Sequence, residues 1–199
     1  MRSEIVLGLL VTAAIAGACG ETPGRDGTPD DTPVTAEKPF AAGGHVDMDL
    51  GAGAYEVRPS ADARVHVATS GHTGSAKVDV TTEGNTATIK IVDTPRNNFH
   101  AAIDVPKQSD VVVHLSAGEL TVGSLAGNLD VDSAAGNVRI EVDAAKNYGT
   151  VDASVKAGDI VSGPFGDSKS GLLPHLTWSG AGKRTIHVTM GAGKLTFEE

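Results

Sequence analysis

"SAGELTVGSLAGNLDVDSAAGNVRIEV", residues 116–142, says nearly the same thing three times. Ala-Gly recurs at Ala117-Gly118, Ala126-Gly127 and Ala135-Gly136, nine residues apart each time. One polar or acidic residue follows each pair, then an alternation: Leu120-Thr121-Val122, Leu129-Asp130-Val131 and Val138-Arg139-Ile140. Alternation with a period of two is the mark of a half-buried strand. Glycine suits a corner because tight bends often need a positive φ, which a β-carbon penalises. A turn-plus-strand unit of nine residues is too short for a stable hairpin repeat, but it suits one side of a coil. Stacked coils lie about 4.8 Å apart and bury a continuous interior. The reading is therefore a β-solenoid or β-roll, with Leu120, Leu129 and Val138 expected in one inner column.

The repeat extends beyond this stretch. "GAGAYEV" at 51–57, "KAGDIV" at 156–161 and "GAGKLTF" at 191–197 share its form. The spacings Gly118 to Gly136 and Gly136 to Gly158 suit a coil of about twenty residues. Between 53 and 118 no Ala-Gly corner occurs, yet "ARVHVATS", "AKVDVTT", "TATIKIV", "AAIDV" and "DVVVHLS" alternate like strands. That gap leaves room for some antiparallel pairing in the N-terminal half. Helical periodicity is weak and confined to "EVDAAKNYG", 141–149. The fold class is all-β, with Ala-Gly corners joining a stack of short strands.

Composition agrees. Apolar residues make up 40% of the 199, aromatics only 4%, and glycine contributes 25 residues. Such a chain builds a thin core from Val, Ile, Leu and Ala. The net charge of −9, with no Lys/Arg cluster, excludes nucleic acid and argues against electrostatic binding to anionic lipid.

At its start, "MRSEIVLGLLVTAAIAGAC" places a basic Arg2 before an apolar run from Ile5 to Ala18. As a helix that run would rise about 21 Å, short of the ~30 Å hydrocarbon core, so it reads as an export signal over 1–18. Cys19 is the only cysteine. It sits in "IAGAC", which resembles the bacterial lipoprotein cleavage motif, although Ala16 stands where Leu is usual. The resemblance implies that Cys19 becomes the acylated first residue of the mature protein. Ordinary signal cleavage after Ala16-Gly17-Ala18 is the alternative. Residues 20–39 then hold four of the nine prolines and almost no large apolar side chain. With Cys19, the span 19–43 is expected to be a disordered tether. Residues 44–199 remain as a single β-repeat domain.

The stretch "AIDVPKQSDVVVHLSAGELTVGSLAGNLDVDSAAGNVRI", with the closing "GAGKRTIHVTMGAGKLTFEE", resembles the bacterial adhesin-like β-strand repeat, or toast-rack, family of unknown function. The shared features are a strand ending in Val105-Pro106, a polar turn, and the small-Ala-Gly corners that follow. The resemblance covers most of 44–199. It implies an envelope-exposed, often lipid-anchored domain, with some relatives tied to sensing of envelope stress, and it carries over no catalytic residue.

Chemistry-bearing residues are few. Asp130 and Asp132 face outward and could bind calcium or simply be solvated. His66, His114 and His187 each sit between apolar neighbours and are expected on one outer face, as a candidate acid sensor or zinc site. Ser116, Ser133 and Ser162 lack a nucleophile-elbow context. No catalytic residue, metal site or cofactor is assigned. "GPFGDSKSGLLPHLTW", 163–178, breaks the repeat and gathers Phe165, Leu172, Leu173, Leu176 and Trp178. These form either a lid over one end of the stack or a patch for a partner. The functional expectation is an exported, lipid-anchored envelope protein, its body in the periplasm or at the cell surface. It would present a surface to an envelope protein or glycan, for binding, adhesion or stress sensing. A purely structural envelope component and a carbohydrate-active enzyme are the alternatives.

Overall fold

The computed structural model describes residues 32–199. The signal-like segment, Cys19 and most of the expected tether lie outside the described residues. Among the described residues twelve strands form one sheet that coils on itself. Its spine is a set of long, bent strands lying parallel: β2 (His45–Ser60), β7 (Asp110–Val122), β8 (Leu129–Glu141), β12 (Arg184–Glu198) and β9 (Tyr148–Val161). Each carries an Ala-Gly bend at its middle, dividing it into an upstream and a downstream limb. The fold is thus the stacked all-β coil expected from the repeat.

A full turn of the coil is two limbs, not one strand per Ala-Gly. Ala126-Gly127 lies in the connection between β7 and β8, where Gly127 passes tightly against the Ser109 carbonyl. The true period is therefore the 18 residues from Gly118 to Gly136, and the nine-residue rhythm counts corner and connection alternately. This splits the expected inner column in two. Leu120 and Val138 stack with Tyr55, Leu195 and Ile160 on the downstream limb. Leu129 stacks instead with Val46, Val111, Ile186 and Val151 on the upstream limb. A second upstream column runs Ile89, Met48, Val113, Val131, Val188, Ala153. All of these side chains are buried. Burial of an aliphatic side chain stabilises by roughly 1.5–3 kcal/mol, so the columns are the main source of cohesion.

Spatial order departs from chain order at two places. β12 inserts between β8 and β9, and β2 inserts between β7 and a split coil made of β5 (Thr86–Val92) and β6 (Phe99–Pro106). Antiparallel pairing occurs at both ends of the stack rather than only in the N-terminal half. On one end β3 (Arg64–Gly71) covers β6 and β4 (Lys77–Glu83) covers β5, while β1 (Thr35–Pro39) pairs outside β3. On the other, β10 (Lys169–Leu172) and β11 (His175–Ser179) both run against β9. The weak helical signal at 141–149 corresponds to a 3₁₀ turn, Ala145–Asn147.

β1 also corrects the domain boundary. Residues 35–39 are strand and Phe40 is buried, so the body starts about nine residues before Gly44. Pro39, at the end of an outermost strand, tolerates its missing N–H there, and the high proline content of 20–39 conceals the strand.

The corners are held by a column of glycines. Gly53, Gly118, Gly136, Gly193 and Gly158 lie in register across five successive strands. Gly118, Gly136, Gly193 and Gly158 have φ between 119° and 145°, and a Cβ on each would overlap the carbonyl oxygen of the next glycine in the column. Only glycine satisfies both demands at once.

Candidate functional site

With the inside of the coil filled by aliphatic columns, the outer faces of the two limbs are the surfaces open to solvent. Alternation points every second residue outward.

On the upstream limb the outward residues of adjacent strands pair aspartates with histidines. His114 stands between Asp49 and Asp132, and His187 between Asp130 and Asp152. Asp152 is flanked on both sides: His175 Nε2 lies 3.3 Å from Oδ2, and His187 Nδ1 lies 3.6 Å from Oδ1. Asp130 and Asp132 thus have imidazoles, not further carboxylates, as cross-strand neighbours. Among the described residues no three His, Cys, Asp or Glu side chains converge to hold a metal ion. The expectation of three histidines on one face is corrected: His66 lies on β3, opposite Asp104 of the downstream limb.

On the downstream limb two adjoining depressions share Glu119 and Thr121. The larger, about 500 Å³, is floored by Ala54, Ala68 and Ala102 and edged by Glu56, Arg58 and His100. The smaller, about 310 Å³, is bordered by Asn137, Arg139, Lys194 and Thr196. Small side chains on adjacent strands make the floor, and longer polar ones on the next positions make the walls. Arg58 is held upright by a two-pronged bond to Asp104, at 2.7 and 3.1 Å, and His66 Nδ1 adds a contact at 3.1 Å. Burial alone would raise the Asp104 pKa; hydrogen bonds from Arg58 and His66 outweigh it and hold the carboxyl below its ordinary range. Arg139 leans on Glu198 at 3.4 Å. The result is a shallow polar trough crossing several strands, with cationic and anionic groups interspersed. Sequence reading missed it because its residues come from distant segments and meet only through the inserted strands β2 and β12.

The five residues singled out at 163–178 separate into two groups. Phe165 and Leu176 are buried, and Trp178 packs against the core. Phe165 sits at the centre of an aromatic cluster, with ring centroids 5.6 Å from Tyr148, 5.1 Å from Trp178 and 5.3 Å from Phe197. These residues close the end of the stack. Leu172 and Leu173, by contrast, are 84% and 74% exposed at the bend between β10 and β11. Of the serines considered, Ser133 and Ser162 are buried, Ser162 donating to the Gly166 carbonyl. Cys19 lies outside the described residues, and among those described no helix is long and apolar enough to cross a membrane.

No family model matches the chain, and no curated protein sequence is detectably similar to it. Among solved structures, that of a provisionally assigned cell adhesion protein from Clostridium sporogenes superimposes with a TM-score of 0.53 at 12% identity. The match covers 84% of this chain and 99% of that one. A provisionally assigned adhesin from Bacteroides fragilis aligns over 86% of this chain and 99% of its own, at 13% identity and a TM-score of 0.34. The first of these shows a shared fold: this chain has the same stacked β-repeat architecture as that protein. At the level of fold, the resemblance noted in "AIDVPKQSDVVVHLSAGEL" is borne out.

Proposed function

We propose that this chain is an exported envelope protein of adhesion type, anchored by lipid at Cys19 and acting by presenting the trough of its downstream limb to an envelope glycan or protein. The contiguous trough carries the reading: a built surface with both charge signs, on a fold shared with a protein assigned to cell adhesion. The protein performs no reaction in this reading; the buried positions of Ser133 and Ser162 and the absence of a nucleophile elbow favour a binding role. Its physiological use is attachment, or reporting the state of the envelope by occupancy of the trough.

The test is saturable binding of the full chain to isolated bacterial envelopes, compared with the double variant Arg139→Glu, Lys194→Glu. Reversal of two charges on the trough wall is expected to weaken binding at least about tenfold. Wild-type binding that never saturates would favour a structural component, and unchanged affinity of the variant would remove the trough from the reading.

A further inference from the structure

Leu172 and Leu173 are the most exposed large apolar side chains among the described residues, and they are held out by the backbone. Leu173 has φ 55°, a conformation that costs a β-substituted residue about 1 kcal/mol or more. It is fixed there by its N–H donating to the Lys156 carbonyl at 2.9 Å, with Pro174 following.

Their position matters. Leu172 pairs with Ala157, and Ala157 lies in register with Ala192, Ala135, Ala117 and Ala52. The two leucines therefore stand at the end of the corner edge of the coil. Counted one residue to each side, the five Ala-Gly corners carry two lysines, Lys156 and Lys194, and two acids, Glu119 and Asp159, so this edge is neutral in a chain of net charge −9. The excess of acids sits on the limb faces instead.

The described chain also enters at this edge. Thr32 accepts from Thr73 Oγ1, and Val34 is bonded to Thr69 near the end of β3, where Gly71 lies level with Phe99 at the bend of the split coil. That point is seven strand spacings from β10, about 34 Å. From Cys19 to Thr32 the chain spans at most about 45 Å even if fully extended. An anchor at Cys19 thus keeps the entry end of the corner edge close to the bilayer.

We infer that the corner edge is the side of the body that rests on the membrane, with Leu172 and Leu173 inserted among the acyl chains of a lipid bilayer. The inference rests on the anchor reading for Cys19. Two leucines alone give weak partitioning, so insertion depends on the anchor holding the body at the surface.

The experiment attaches the full chain through its single cysteine, Cys19, to a maleimide-headgroup lipid in phosphatidylcholine vesicles, so the result does not depend on acylation in the cell. A tryptophan is placed by Leu172→Trp in a Trp178→Phe background, and at the upstream face by Asp130→Trp in the same background. Brominated acyl chains are expected to quench the Leu172→Trp emission at least about threefold more than the Asp130→Trp emission. In the unmodified sequence, hydrogen exchange at Lys169–Leu172 is expected to slow on attachment. Equal quenching at the two positions, or unchanged exchange, would overturn the inference and leave the leucines for a protein partner. Loss of palmitate labelling, measured separately, would sink the anchor without touching this result.

Discussion

Replacing Gly136 by alanine tests the physical basis of the corners. Gly136 has φ 134°, a region nearly closed to residues with a β-carbon, and strain of this kind costs about 1–3 kcal/mol. Its new methyl would also overlap the Gly118 carbonyl oxygen, since the two bends are stacked in register. Relieving the overlap requires the two coils to part locally, with loss of one or two backbone hydrogen bonds at about 1 kcal/mol each. Together the expected cost is about 2–5 kcal/mol, a large share of a typical domain's stability. Two other glycines separate the terms. Gly84 has φ 58° with nothing near its missing Cβ, so Gly84→Ala carries strain alone, about 1 kcal/mol. Gly127 lacks a positive φ but would meet the Ser109 carbonyl, so Gly127→Ala carries collision alone. Urea unfolding followed by circular dichroism ranks the three, and with a slope of about 2 kcal/mol/M the Gly136→Ala midpoint should fall by roughly 2 M. A loss at Gly136 no greater than at Gly84 would refute the stacked-corner account.

Three further outcomes are expected. Ser133 is buried between Leu115 and Met190 in an aliphatic column, and its hydroxyl has no hydrogen-bond partner; Ser133→Ala should raise stability by about 1 kcal/mol in the same urea assay. Asp143 meets Arg184 at 2.8 and 3.0 Å. Burial alone would raise its pKa, but bonds from Arg184, Asn147 and the Ala144 N–H bring it from 3.8 down to about 2. A folded pKa below the unfolded one gives stability that is present above about pH 4 and lost as pH falls toward 2. Discounted for partial exposure, this is about 1 kcal/mol, and Asp143→Asn should abolish that portion of the acid dependence in thermal melts. Finally, cells grown on labelled palmitate should label the wild-type protein and not Cys19→Ser; label that persists in the variant would refute the anchor.

The coil was legible because its demands are local. A bend that needs glycine, followed by a strand that alternates, writes its period into neighbouring residues, and five of the six Ala-Gly pairs of the repeat are bends. The sixth, Ala126-Gly127, shows the limit: a tight connection selects the same residues as a bend, so the pattern alone could not tell a bend within a strand from the link between two strands. That ambiguity sent Leu129 to the wrong column. β1 was hidden for a similar reason, since Pro33, Pro39 and the charged residues between them suit an outermost strand as well as a loose tether. In the 163–178 segment the apolar residues were found but not their division. Phe165 turns inward because three aromatic rings from β9, β11 and β12 await it, and all three rings lie more than ten residues away in sequence. The trough was illegible altogether, because adjacency across β6, β2, β7, β8 and β12 is a matter of insertion order rather than of local pattern.

That insertion order governs how the molecule is made. Because β12 fills the slot between β8 and β9, β9 with β10 and β11 paired on it has no link to the rest of the sheet until residues 184–198 have been made. Assembly cannot advance tier by tier behind synthesis, and a chain truncated before β12 would strand the entire far end. For the same reason a duplicated repeat has one place to go: between β7 and β8, neighbours both in the chain and in the sheet, where an added tier would displace neither inserted strand.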